Sequence, residues 1–498
     1  MNQIKKLAGQ TAYYGISSIL GRVLNFLLLP IWTARLDPSQ YGAVSETYSY
    51  VALFLIIYTF GMETAYFRFA RKTAGESAYY SAGTAVLLIS VLLSGLLAVF
   101  AEPISSFIDE DVRPQYIQFL AAILFIDAVV SIPFARLRIE EKALRFAIIK
   151  LIVISLTILL NLLLIVVFPD IINGEYLNIL KPTIESFYNI DKGIGYIFVA
   201  NLIANSLYLP LLLPELRKLR LKIEWTTFKP MLLYAAPLFI MGLAGMFNEN
   251  GYALVFEWAF PKDLDVTASE ALGKYASAVK LSMIMMLGVQ AFRYAAEPFF
   301  FNHADNKEAP ELFAKIMHYF VVFNVVVMVV ISLNIDLISD IFLRNAAYKD
   351  ALYVLPILLL AKLLYGVYVN LSVWFKIKDK TIFGSYFAGI GATITLTGNI
   401  FLIPIIGYFG SALASLSCYL VMSALCFYYG KKFFPVPYKL FPLFIQVVIG
   451  LIFIYSVQEI NFGTQFMNYS ISFLIALIYA TVVFWYEWRK LEYKTQKP

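Results

Sequence analysis

Two cysteines and two histidines in 498 residues leave little room for metal or thiol chemistry. Cys418 and Cys426 fall about two turns apart on one apolar stretch, too far apart to bridge, and read as small buried residues. His303 and His318 have no cysteine or acidic neighbours at ligand spacing, so no metal site is expected. Charge is scarce as well: Asp, Glu, Lys and Arg make up 14% of the chain, and no gap between apolar stretches is long enough for a domain. The longest gaps are 169–193, which carries scattered Asp170, Glu175, Glu185 and Asp191, and the basic connector 215–232. A membrane glycosyltransferase or polymerase would need a catalytic constellation in such a loop. None is present, which counts against that class, and no catalytic residue is named.

What the chain has in excess is apolar length. Apolar residues make up 60% and the mean hydropathy is +0.74, far above what a soluble domain of this size carries. Runs of about 18 or more apolar residues can cross a hydrocarbon core as helices. Fourteen such stretches are expected near 12–34, 43–66, 80–101, 116–138, 146–168, 194–214, 233–259, 272–297, 314–335, 352–375, 382–403, 408–429, 440–458 and 467–488. The predicted class is an all-α, polytopic membrane protein.

Lysine and arginine occupy every second gap. They cluster at Lys5-Lys6, Arg68 to Lys72, Arg136 to Arg145, Arg217 to Lys229, Lys307/Lys315, Lys376 to Lys380, Lys431 to Lys439 and Arg489 to Lys497. These gaps hold 26 of the 39 basic residues and the opposite gaps hold 8, where acids such as Asp109-Glu110-Asp111 dominate. Basic loops stay in the cytoplasm, so both termini are expected there. The net charge of +6 is then a topology signal, and no nucleic-acid partner is implied. The first stretch contains Arg22 and Asn25 and is followed by no small-residue cleavage site, so it is expected to be a retained helix.

Two segments look like distant copies. Arg35-Leu36-Asp37-Pro38-Ser39-Gln40-Tyr41-Gly42 precedes the second stretch, and Glu270-Ala271-Leu272-Gly273-Lys274-Tyr275 opens the eighth. One offset superposes Gly42 on Gly273 and Pro30 on Pro261. Stretches five and eleven likewise share an Asn followed by a Pro, Asn161/Pro169 and Asn399/Pro404. The expected organisation is two pseudo-symmetric six-helix bundles, 1–214 and 233–430, joined by connector 215–232, with 431–498 adding two helices and a tail. Duplications of this kind commonly place a transport site between the halves.

The Arg-Leu-x-Pro-x-x-Tyr-Gly at 35–42, the Leu-Gly-Lys-Tyr-Ala-Ser-Ala-Val-Lys-Leu at 272–281, Glu297-Pro298 and the Gly407-x-x-Gly410-Ser411-Ala412 segment resemble the polysaccharide-exporter branch of the multidrug/oligosaccharidyl-lipid/polysaccharide superfamily. The resemblance spans residues 1 to about 430. It implies a V-shaped pair of bundles that flips a polyprenyl-pyrophosphate-linked oligosaccharide across the bacterial inner membrane, alongside other polysaccharide-assembly proteins. Relatives tend to carry an acid and then a base midway along helix seven. Here the order is Asn248-Glu249-Asn250-Gly251, which keeps the acid and lacks the base. A drug or cation antiporter of the same superfamily is the first alternative; its site would be acidic, with an acid central in the first helix, where this chain has Arg22.

An ionisable side chain near the bilayer centre costs about 2.5–3.5 kcal/mol on insertion scales, so each needs a partner or an aqueous cavity. Arg22, Asp127, Glu249, Lys280 and Lys362 are expected near mid-depth. Lys150, Glu63, Arg293 and Glu297 are expected within reach of the cytoplasmic interface, and Glu46 and Glu257 of the outer one, where long side chains snorkel. Ser18, Arg22 and Asn25 form one polar stripe on the first helix. A guanidinium there suits a pyrophosphate headgroup, and the competing reading is a salt bridge to Asp127 or Glu46. Lys280 and Arg293 lie about 140° apart around their helix, with Lys280 preferred for the cavity and Arg293 a further headgroup candidate. Lys362 is read either as a headgroup ligand or as the partner of Glu249. Asp127, Glu249 and Glu46 are candidates for ion coupling, to a proton or sodium gradient, or for internal pairing. No resident cofactor is expected.

Overall fold

The fold was examined in a computed structural model that describes residues 20–24, 26–70, 75–108, 113–189, 193–261, 265–304 and 306–495. Asn25 and Ser18 of the expected stripe lie outside the described residues. Among the described residues twelve helices are long and apolar enough to cross a membrane. In chain order, α1 is the helix containing 20–24 and Leu29–Arg35, and α2 (Pro38–Ala70), α3 (Gly75–Val99), α4 (Pro114–Ile139) and α5 (Ala143–Ile172) follow. The shorter α6 (Gly195–Leu211) completes the first group. Then come α7 (Trp225–Ala259), α8 (Ala268–His303), α9 (Ala309–Leu333), α10 (Ala346–Ile377), α11 (Ile382–Ile406), α12 (Tyr408–Phe433), α13 (Leu440–Gln458) and α14 (Gln465–Thr495). The chain is a multi-pass membrane protein.

The 35–42 segment is a turn with a reason for each residue. Asp37 caps α2 by accepting from the Gln40 N–H at 2.8 Å, while the Gln40 amide oxygen accepts from the Asp37 N–H at 3.4 Å. Pro38 takes the first helical position, where a missing N–H costs nothing. Arg35 pairs with buried Asp170 at 2.7 Å, and Tyr41 packs edge-on against Tyr348. Gly42 lies against α8, where an added Cβ would stand 1.8 Å from the Ser269 carbonyl oxygen. Gly273 mirrors this contact, with its would-be Cβ 1.8 Å from the Pro38 carbonyl oxygen. Each glycine therefore faces the carbonyl one turn before the other, and the offset that aligns the two segments in sequence also relates the two contacts in space.

Asn161 and Asn399 share a role in the same way. Each donates from its amide to the carbonyl one turn back, Thr157 at 2.8 Å and Thr395 at 2.6 Å. Each also accepts from a neighbouring helix: Trp32 Nε1 at 3.0 Å for Asn161, Ser411 Oγ at 2.7 Å for Asn399. Just beyond Asn161, α5 widens into a π-helical turn at Leu163–Val167 before Pro169. Asn161→Leu leaves the Trp32 indole N–H without its acceptor. We expect a loss of about 1–3 kcal/mol, read as earlier thermal unfolding in detergent.

The end of the bundle that carries the basic loops is laced by ion pairs. Arg136 binds Glu76 at 2.6 Å and Glu140 at 2.7 Å, Arg145 binds buried Glu215 at 2.8 Å, and Arg138 pairs with Glu63. Hydrogen bonds from Lys222 and Ser77 hold the Glu224 carboxyl, just before α7, below the usual carboxylate range. At the opposite end α1 and the start of α2 are tied to the segment between α9 and α10 and to the first turn of α10. Thr33 Oγ1 donates to the Phe342 carbonyl at 2.9 Å, and the Tyr348 hydroxyl donates to the carbonyls of Leu36 and Asp37 at 3.0 and 2.9 Å. With the Gly42–Gly273 crossing, these contacts close the lysine-poor end. Helices α13 and α14 pack on α9, where Gln458 donates to the Ser332 carbonyl at 2.8 Å.

Candidate functional site

Charges from both groups of helices meet at mid-depth around Tyr365 on α10. Arg293 of α8, Arg22 of α1 and Glu249 of α7 all lie within electrostatic reach of the Tyr365 hydroxyl. Glu249 also acts on Lys362, one turn before Tyr365, and on Tyr419 of α12. The Lys362 ammonium sits 6.0 Å from the centre of the Tyr419 ring, which meets Tyr365 edge-on at 5.3 Å. Arg22 and Glu249 are exposed, and Arg293 and Lys362 half-buried. These side chains lie within reach of one another's charge while keeping some accessible surface.

Neighbouring contacts fix their directions. Asn248 is buried, donating to the Ala388 carbonyl at 3.2 Å and contacting Cys418 Sγ at 3.5 Å, which anchors α7 on α11 and α12. Glu249, the next residue, is thereby turned away from that contact by about 100° of helix. Ser423 donates to the Leu364 carbonyl at 3.0 Å and sets α12 against α10 beside Tyr365.

Among the described residues no ion pair within 4.0 Å holds Arg22, Glu249, Lys280 or Lys362, so Arg22 is not bridged to Asp127 or Glu46, and Lys362 is not closed onto Glu249. Lys280 is half-buried on α8 with no charged group acting on it. Arg293, the further headgroup candidate, lies within electrostatic reach of Tyr365 and so joins the cluster. Asp127 belongs to a separate polar group within the first six helices. It accepts from Asn205 Nδ2 at 3.0 Å and interacts with Lys150, whose ammonium lies between the rings of Phe134 at 4.4 Å and Tyr208 at 4.8 Å. Glu46 is 1% exposed beside Tyr50, a tyrosine that Glu257 also reaches.

Of the other charges expected to snorkel, Glu63 is bound by Arg138 and Glu297 by Lys376. Sequence reasoning missed Tyr365 and Tyr419. Their signal was helical spacing to Lys362 and to buried Cys418. Tyr79 is fully buried, donates to the Glu215 carbonyl at 2.8 Å and lies under Arg136. Among the described residues no group of three or more His, Cys, Asp or Glu could hold a metal ion.

Residues 33–171 match a family model described as a polysaccharide biosynthesis protein. The chain superposes on the inward closed conformation of the lipid II flippase MurJ with a TM-score of 0.72 at 14% identity, covering 96% of this chain and 98% of that one. The chain has the fold of the multidrug/oligosaccharidyl-lipid/polysaccharide exporter superfamily. An inward-facing multidrug resistance MATE transporter of that superfamily matches with a TM-score of 0.62 at 13% identity, over 91% of this chain and 99% of the other. A superfamily transporter from Pyrococcus furiosus, described as having a binding pocket of reverse polarity, matches with a TM-score of 0.55 at 12% identity, over 91% and 96%. No curated protein matches the chain by sequence.

Proposed function

We propose that this protein is a flippase of the bacterial inner membrane that moves a polyprenyl-pyrophosphate-linked oligosaccharide, a surface-polysaccharide repeat unit, from the cytoplasmic to the outer leaflet by alternating access. One observation carries the reading: Arg22, Arg293 and Glu249 converge on Tyr365, with Lys362 near Glu249, so three basic groups meet one carboxylate. A cleft with that balance stabilises an anionic headgroup and disfavours the cationic drug an antiporter would export. The match of residues 33–171 to a polysaccharide biosynthesis family supports the same substrate class. Arg22 and Arg293 bring forked donors suited to phosphate oxygens, and Lys362 and Lys280 add point charges. Glu249 and Asp127 are the carboxylates through which a proton or sodium gradient would drive the cycle.

The test is export in cells lacking the gene. The intact chain should restore surface glycan and leave resistance to cationic drugs unchanged; drug resistance without glycan export would establish the antiporter instead.

The basic loops lie in the cytoplasm on this reading, with both termini. Single cysteines at Lys218 and Lys380 should then react with an impermeant maleimide only after the cells are opened. Buried Cys418 and Cys426 contribute little background. Labelling of Lys218→Cys in intact cells would reverse the topology.

A further inference from the structure

A cavity of about 1090 Å³ lies at the basic-loop end where α8, α9, α13 and α14 come together, away from Tyr365. Four lysines from separate segments line it: Lys307 between α8 and α9, Lys315 on α9, Lys439 before α13 and Lys490 on α14. Lys490 is committed to Glu487 at 3.6 Å, a buried carboxylate that also meets His318 Nε2 at 2.9 Å and accepts from Gln446 Nε2 at 3.2 Å. Among the described residues Lys307, Lys315 and Lys439 have no ion pair within 4.0 Å, and Glu308 and Glu311 stand exposed at the same cavity. Four lysines thus face three glutamates, one of them already spent within the wall.

The same cavity also has an apolar lining, with Leu312, Pro442 and Leu443. Around it the first turns of α13 and the last of α14 present exposed Phe441, Phe444, Trp485 and Trp488. Exposed aromatics at helix ends mark the level of lipid headgroups. A cavity at that level, lined both by lysines and by apolar side chains, matches a molecule with a phosphate at one end and hydrocarbon at the other.

We propose that this cavity holds the phosphate-bearing headgroup of an anionic lipid from the leaflet at the basic-loop end, with Lys307, Lys315 and Lys439 on the phosphate and the acyl chains descending along α13. A soluble phosphate would use the lysines and leave the apolar wall and aromatic rim without a role. The proposal rests on the chain's placement in a membrane and is independent of what the central cleft carries.

The test uses the full chain in phosphatidylcholine vesicles containing about 5% brominated phosphatidylglycerol, with brominated phosphatidylcholine at the same fraction as control. Quenching of Trp485 and Trp488 is read after each of the other tryptophans is replaced by phenylalanine. Preferential quenching by the anionic lipid is expected. The triple variant Lys307→Gln/Lys315→Gln/Lys439→Gln should weaken that preference about a hundredfold, at roughly fivefold per lysine. The corresponding triple arginine variant should keep it, which separates loss of charge from loss of fold. Equal quenching by the two lipids in the unmodified wall, or an unchanged preference in the glutamine variant, overturns the proposal. So does complete displacement by millimolar inorganic phosphate at constant ionic strength, which would make this a soluble-anion site.

Discussion

Arg22→Ala is expected to abolish surface-glycan export while the protein stays folded, inserted and at its normal level. Arg22 reaches Tyr365 across the cleft without a bound carboxylate within 4.0 Å, so its removal strands no buried partner. A committed salt bridge behaves differently: losing one partner leaves an uncompensated buried charge and destabilises by about 3–5 kcal/mol. Charge-assisted bonds to a desolvated pyrophosphate contribute about 1.5–3 kcal/mol each, so export should fall at least tenfold. Arg22→Lys keeps the charge but loses the fork, and should retain part of the activity. Lys280→Ala should also impair export without lowering protein level. Glycan output and protein abundance must be measured together; if lost abundance accounts for lost export in Arg22→Ala, the side chain is a strut and not a ligand.

Gly42→Ala should shift the protein toward a state open at the lysine-poor end. The new methyl would meet the Ser269 carbonyl oxygen at 1.8 Å, so α2 and α8 must separate by more than an ångström to admit it. Overpacking of this kind costs about 1–3 kcal/mol. Spent against the closed state alone, that is roughly a five- to hundredfold change in the ratio of closed to open molecules. Spin labels on exposed Ala34 and Ala346, on the two sides of the seal, should report a longer distance in the variant. Gly273→Ala should do the same through Pro38. Unchanged distances in both variants would mean that the crossing does not set the closed state.

The sequence was most informative where a residue acts on its own backbone or its own helix. Asp37, Pro38 and Gln40 define a helix start by local chemistry, and the apolar runs with their alternating basic gaps locate most of the spans. Gly42 and Gly273 could be paired because a repeated segment carried both. Rotation about each helix axis was not legible, and rotation decides which charges share a space. Arg293 and Lys280 differ by a turn angle that sequence supplies, yet only the packing of α8 against α10 shows that Tyr365 lies beside Arg293. Asp127 could not be assigned to Asn205 and Lys150, since nothing local ties α4 to α5 and α6. The tyrosines were hidden for a compositional reason: in a chain with 34 of them, the few in the cleft carry no distinguishing mark.

The mirrored glycine contact also bears on how such a chain could have arisen. Gly42 meets the carbonyl one turn before Gly273, and Gly273 meets the carbonyl one turn before Gly42. That reciprocity is the mark of an isologous interface, in which identical surfaces bind each other about a two-fold axis. Two separate copies of a half-length ancestor could make this contact without any new residue, meeting head to head at one face of the membrane. Gene fusion would then have added a linker to a dimer already able to close, leaving the rest of each half free to diverge into different charges on the two walls.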